Sequence, residues 1–449
     1  MLLAAPTAHN RITKTQTSIV SHRLIPYARD FTRPPPPNTV SELRLPALAL
    51  LTTLVAGCAS QPPQSPAPMV APPPATTPVP IVTPTPVPPI VEVLPTPTPA
   101  PVPIPTPKPG LTEAQGRALL NQLLPPKISD RKGWTDDILD AFTALKIPYT
   151  PEYFCAANAV IEQESSWQSD PTVPGLPKIV WEKIGEKAAG YHVPLLVVQT
   201  ALLKPSPNGQ SYKYRIDHVK SERDMNGIFE DMQRDAAHLG LPFNMPNPIR
   251  TVGPMQVSVE FAEAHVRAWP YPYKMATSVR DTAFTRRGGL YFGIAILLQY
   301  PAPYTDMIYR FADFNAGRYS SRNVAFQLAL EKVSGQKIDL DGDLLVYTNG
   351  VPNSKPSDVE QALFSIAGKL GLSHEAIRRD LLTEKTAAFA QTPLYTKLFE
   401  LAEAHGQKLP RAAMPQIRLV SPKITRKLTT EWFAKRVDGR YQTCLGRVR

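Results

Sequence analysis

Glu164 is the residue whose type and setting could do chemistry. It lies in the stretch Thr150–Pro171, which has both ends of a helix written into it. Thr150 suits an N-cap, Pro151 the first helical position, and Glu152 the end of the dipole that favours an anion. Asp170 is pushed out of helical geometry by Pro171. In between, Phe154, Ala157, Val160, Ile161 and Trp167 recur at helical spacing and predict one buried stripe. Glu164 stands on that stripe, while Glu162, two positions away, points roughly to the opposite side. Desolvation penalises a charged carboxylate and raises its pKa, which is what a general acid needs at neutral pH. A structural Glu tied to an Arg or Lys of another helix fits the same pattern, and the helix alone leaves both open.

Two further words supply polar groups suited to a sugar. Gly253-Pro254-Met255-Gln256 is expected to open a helix running to about Ala268. Its Gly permits close backbone approach to a ligand, and Gln256 offers a donor and an acceptor to an N-acetyl group. Phe314-Asn315-Ala316-Gly317 follows. With Glu164-Ser165-Ser166-Trp167 they resemble, in order, the three signature blocks of the soluble lytic transglycosylases of the lysozyme superfamily. The segment Gly288–Gly293, leading into Ile294–Leu298, looks like that family's penultimate helix. More closely, the chain resembles a family of bacterial lipoproteins that carries this core.

The resemblance implies a mainly α fold, a lysozyme-like core with a helical insertion and a helical C-terminal extension. It implies cleavage of the MurNAc–GlcNAc β-1,4 bond of peptidoglycan without a cofactor. Glu164 would donate to the leaving oxygen and then act as base on the C6 hydroxyl of MurNAc. One carboxylate suffices if the substrate's N-acetyl group stabilises the oxocarbenium-like centre, a departure from the usual pair. Ser165, Met255, Gln256, Tyr291, Phe314 and Asn315 would surround the sugar. Pro254 stands in place of the family's Leu, and Phe314 in place of its Tyr, so any hydrogen bond from that hydroxyl is lost. Two alternatives stay open. A second acid in the insertion, Glu182 or Asp217, would make a hydrolysing muramidase, and a silent cleft would leave a murein-binding lipoprotein that tethers outer membrane to wall.

Residues 110–335 are the expected lysozyme-like domain, with the insertion at 172–252 and the extension at 336–449. Thr112 to Gln115 forms a capping box for a helix through Leu124, and Trp134–Leu145 reads as a second. The insertion holds helical runs at Lys178–Ala189, Leu195–Leu203 and Ser221–Leu239. Arg286–Tyr300 and Tyr304–Phe314 read as the last core helices. Helices at Pro356–Leu370, Ser373–Lys385, Pro393–His405 and near Thr430–Val437 fill the extension. Asp339–Asp343 reads as a turn, since its Gly is misplaced for a calcium loop and Gly350 stands where the bidentate Glu should be. The His residues show no ligand spacing, so no metal is expected.

The chain has 449 residues, 52 of them Pro, and a formal charge of +11. Residues 45–56 form an apolar run too short to span a bilayer but right for a signal peptide, ending at Gly57-Cys58. Val55-Ala56-Gly57-Cys58 resembles the bacterial lipobox, so residues 1–57 are expected to be removed and Cys58 lipidated. Ser60 by resemblance favours the outer membrane, with the chain on its periplasmic face. Residues 1–39 are long for a signal peptide, and translation starting near Val40 would explain them. The Pro-rich tract that follows, to residue 109, should run as polyproline II, reaching up to roughly 150 Å at about 3.1 Å per residue. Without residues 1–57 the charge falls to +7, counting 43 basic against 36 acidic residues. That excess suits an anionic wall polymer or membrane surface, and the lack of a dense basic stripe with aromatics excludes nucleic acid. Arg418, Lys423, Arg426, Lys427, Lys435, Arg436, Arg440, Arg447 and Arg449 make the end basic. Cys155 and Cys444 remain as a disulfide across the core or as two separate buried thiols.

Overall fold

Side-chain caps start most of the helices. The computed structural model describes residues 110–240, 245–348, 350–419 and 428–448. Cys58, the leader, the Pro-rich tract, Lys423, Arg426, Lys427 and Arg449 lie outside the described residues. Thr112 and Gln115 close a reciprocal capping box on α1 (Glu113–Leu123). Asp130 caps α2 (Arg131–Ala144), and Thr150 caps α3 (Pro151–Ser165) with Pro151 at its first position. The fold is mainly helical.

The insertion folds as α4 (Leu176–Gly190), α5 (Leu195–Ala201), α6 (Tyr212–Asp217) and α7 (Glu222–His238), around a small core of its own that includes Val173, Tyr212, Ile216 and Ile228. A hairpin of β1 (Thr251–Val252) and β2 (Val257–Ser258) follows, with Val252 opposite Val257. Then come α8 (Val259–Ala268), α9 (Val279–Phe284), α10 (Arg286–Leu298) and α11 (Met307–Ala316). A second core is built by α12 (Ser320–Ser334), the hairpin β3 (Tyr347–Thr348) and β4 (Val351–Pro352), α13 (Asp358–Ser365), α14 (Ala367–Leu370), α15 (His374–Leu381) and α16 (Pro393–Glu403). The chain then returns through β5 (Arg418–Leu419) and β6 (Leu428–Thr429) to α17 (Thr430–Leu445).

The first core joins α1–α3, the β1–β2 hairpin and α8–α11 to α17. On the core side of the boundary at residue 335, α12 packs with the extension, while α17 packs against α3. Asp137 clamps α2 to α10 by accepting from Arg286 Nε at 2.6 Å and Arg287 Nε at 2.9 Å. The side chains that fill this core, Phe142, Phe154, Phe292 and Phe311 among them, are fully buried. Each contributes about 1.5–3 kcal/mol over its exposed state.

Two local expectations differ from what forms. The helix of Glu164 stops at Ser165, because Ser166 and Trp167 take left-handed backbone with φ of 51° and 64°. Trp167 thus leaves the helical stripe and sets its ring edge-on to Trp134 at 5.2 Å, a tertiary contact that outweighs continued helix. Gly253 to Gln256 is the turn of the β1–β2 hairpin and not a helix start, which comes only at Val259. Gly253 has φ +74°, and a Cβ there would sit 2.2 Å from the Ala283 carbonyl, so only Gly fits.

Candidate active site

Glu164 lies in the last turn of α3 and is 5 % exposed. The helix is buried almost all round, and Ala156, Ala157 and Ala159 keep its surface low enough for another helix to approach closely. That helix is α17. Cys155 in the first turn of α3 is bonded to Cys444 near the end of α17, with Cα atoms 5.5 Å apart. Further along, Glu162 Oε1 lies 4.0 Å from Arg440 Nε. Going forward along α3 therefore goes backward along α17, and the pair is antiparallel. At the other end Thr430 Oγ1, the first residue of α17, donates to Asn315 Oδ1 at 2.8 Å. So α17 spans the distance from the Glu164 helix to the Asn-Ala-Gly segment.

The second word packs elsewhere on the same core. Pro254 lies against Gly289, where a Cβ would come within 2.5 Å, and Met255 against Gly293, also 2.5 Å from an added Cβ. Gly289 and Gly293 are four apart and share one face of α10, so the glycines of the penultimate-helix segment are the socket for the hairpin. Gln256 has φ 51°; its Nε2 donates to Gly253 O at 3.0 Å, and its Oε1 accepts from Thr251 Oγ1 at 3.2 Å.

The remaining expected sugar contacts are mostly enclosed. Ser165 is buried and donates to Ile161 O at 3.0 Å. Tyr291, two residues from Gly289, points away from the hairpin into a cluster of Tyr271, Tyr273, Phe292 and His265. Its hydroxyl lies 3.4 Å from His265 Nε2, and burial pushes it up to about 12. Phe314 is half-buried against the first core, and Asn315 is buried. Of the acids considered for hydrolysis, Glu182 is exposed 3.9 Å from Lys178, beside a cleft of about 650 Å³ within the insertion. Asp217 accepts from Lys213 Nζ at 2.7 Å and Trp181 Nε1 at 2.8 Å, and the Lys213 bond holds it below the usual carboxylate range. Both belong to the insertion, not to the seam between α3 and α17.

The comparisons place this geometry in a family. Residues 127–447 match a family model described as "Protein of unknown function (DUF1615)". The chain belongs to that family. It is similar to the uncharacterized protein YaiW of Escherichia coli (strain K12), 47% identical over 329 residues, covering 73% of this chain and 89% of the relative. No solved structure matches the chain. The matched stretch begins before α2 and runs past α17, so the whole seam lies within it.

Arg440, by sequence one of the basic residues of the tail, is a member of this seam. Burial draws its guanidinium below the ordinary arginine range, against the pull of Glu162 and Glu164 toward the charged form. The signal that could have found Arg440 was the cysteine pair. Joining Cys155 to Cys444 sets the register of the two helices and brings Arg440 alongside the turn that holds Glu162.

Among the described residues no group of three or more His, Cys, Asp or Glu is placed to hold a metal. Asp341 Oδ1 instead accepts from the Asp343 amide at 3.0 Å and from Gln327 Nε2 at 3.2 Å, around a turn where Gly342 has φ +83°. No described helix is long and apolar enough to cross a membrane.

Proposed function

We propose that this chain cleaves the MurNAc–GlcNAc β-1,4 bond of peptidoglycan as a lytic transglycosylase, with Glu164 as general acid and then base. The observation that carries this reading is the setting of Glu164: a buried carboxylic acid in the last turn of a core helix, on the same core as the Gly-Pro-Met-Gln hairpin. Protonated Glu164 gives its proton to the glycosidic oxygen as the bond breaks. The N-acetyl group of MurNAc holds the developing positive charge at C1. Glu164, now ionised, takes the proton of the C6 hydroxyl as that oxygen closes on C1, and a 1,6-anhydro sugar leaves without water. Cys58 carries a lipid that fixes the chain to the periplasmic face of the outer membrane, and the glycan strands are its partner.

Two observations favour a second reading, a lipoprotein that holds murein without cutting it. Gln256 Nε2 is spent on Gly253 O, and Asn315 Oδ1 on the hydroxyl of Thr430. Digesting purified sacculi with the full chain and weighing the fragments separates the two. Anhydro-muropeptides from wild type and none from Glu164→Gln support cleavage. Reducing-end fragments would mean hydrolysis, and bound sacculi without fragments would mean a tether.

A further inference from the structure

Beside Glu162 the two helices border an open groove of about 370 Å³ lined by Glu162, Lys435, Arg436, Gly439, Arg440 and Thr443. Its walls carry three cations against one carboxylate. Arg440 Nε is buried there without a hydrogen-bond acceptor among the described residues, since Glu162 at 4.0 Å is too far to accept. A buried donor left this way is costly; Nη1 of the same guanidinium donates to Arg436 O at 3.4 Å, and a small swing of the partly exposed side chain would bring Nε to a ligand oxygen in the groove. Lys435 is partly neutralised by Glu431 at 2.6 Å, while Arg436 stacks its guanidinium over Trp432 at 5.7 Å.

Gly439 is the second, independent sign. It sits inside α17, where a Gly disfavours helix relative to Ala. An added Cβ would meet nothing within 4 Å, so no packing in the described fold requires the missing side chain. What the Gly leaves is space over the helix backbone, on the wall of the groove.

We propose that this groove is a carboxylate-binding subsite that takes the peptide stems of murein, with Arg440 and Arg436 as the contacts. The inference rests on the peptidoglycan reading and deepens it. The glycan of murein offers few charges, whereas its stems carry carboxylates in numbers, and guanidinium groups pair with these through two parallel bonds. The volume suits a short peptide segment and is small for a folded partner. Held beside Glu162, two residues from Glu164 on the same helix, a stem would anchor the strand at the helix that bears the candidate acid.

The test measures binding of the full chain to three probes: native sacculi, sacculi whose carboxylates are capped as ethanolamides, and phosphatidylglycerol vesicles. Wild type is expected to hold native sacculi about tenfold more tightly than capped ones, the worth of one charge-assisted contact. Gly439→Glu, which puts a carboxylate into the groove, should fall to the capped level. Gly439→Lys, of similar bulk, should bind native sacculi about tenfold better than the Glu variant. Equal binding of wild type to both kinds of sacculi overturns the subsite, as does equal loss in the two variants. Loss of vesicle binding alone would make the ligand a lipid phosphate and remove the stem assignment. If binding depends on position 439 but no fragments appear, the cleavage reading falls and the subsite stands. If Gly439→Glu binds and cuts as wild type does, the subsite falls and cleavage stands.

Discussion

The two larger cores each bury acids, and they treat them differently. In the second core Glu384 is tied down by the chain: Leu344 N donates at 2.7 Å, Leu345 N at 3.3 Å, Tyr347 OH at 2.8 Å and Asn323 Nδ2 at 3.2 Å. The fully buried Arg322 beside it donates to Thr386 O at 2.7 Å and to Glu384 O. Asp313, where the first core hands over to the second, is held the same way by Tyr319 N at 2.9 Å, Ser321 N at 2.8 Å and the hydroxyls of Tyr300 and Tyr304. In the seam of α3 and α17, Arg440 keeps a donor without an acceptor among the described residues, on the wall of an open groove. Burial is common to the carboxyls of Glu384, Asp313 and Glu164. What separates the regions is whether the surrounding groups are used up by the fold or are left able to meet something else.

Five substitutions, one of them read across pH, can break or sharpen this contrast. Glu164→Gln should lower fragment release from sacculi by about a thousandfold if Glu164 is the acid, with the thermal melt little changed. Glu384→Ala should do the reverse, leaving buried donors unmatched and destabilising the chain by about 3–5 kcal/mol in urea titration. Cys444→Ser, read in the same titration, should cost about 2–4 kcal/mol by freeing α17 from α3.

For pH, burial pushes Asp313 and Glu384 up to about 7 from ordinary values of 3.8 and 4.5. The folded chain therefore binds those protons more tightly than the unfolded one. Their contribution is full below about 4 and is lost as pH rises through about 7. His265, driven by burial down to about 4 from 6.5, acts with the opposite sign between those values. Asp313→Asn should flatten the decline in urea midpoint between pH 4 and 7; an unchanged slope would remove Asp313 as its source. The smallest effect is expected from Gly439→Ala, a gain of about 0.5–1 kcal/mol. A loss instead would mean that the Gly is required by the fold.

Local signals in the sequence were legible where they act alone. The Thr112 and Thr150 caps begin α1 and α3 at the expected residues, and most of the helices of the insertion and extension lie within a few positions of the expected runs. What the sequence hid depends on distant partners. The Gly-Pro-Met-Gln word looks helical until Ala283 and Gly289 are placed against it, and Ser166 and Trp167 leave the helix because Trp134 is there to receive the ring. The minimal family pattern ends before α12, which has no expected run, whereas the cysteine pair already offers a link from the end of the chain to α3. The seam was the hardest part of the candidate site to foresee. Glu164 could be read from its own helix, but Arg440 looked like one more basic residue near the end.

The bond from Cys155 to Cys444 joins positions 289 residues apart. A chain delivered from its first residue onward must therefore wait for nearly all of itself before the helix bearing Glu164 has its full cover. Until then the alanine-lined flank of α3 is bare, and contacts of such long range make for slow closure. Folding helpers and thiol oxidants have their longest opportunity in that interval, and a molecule released early would have every residue of the Glu164 helix and none of its lid.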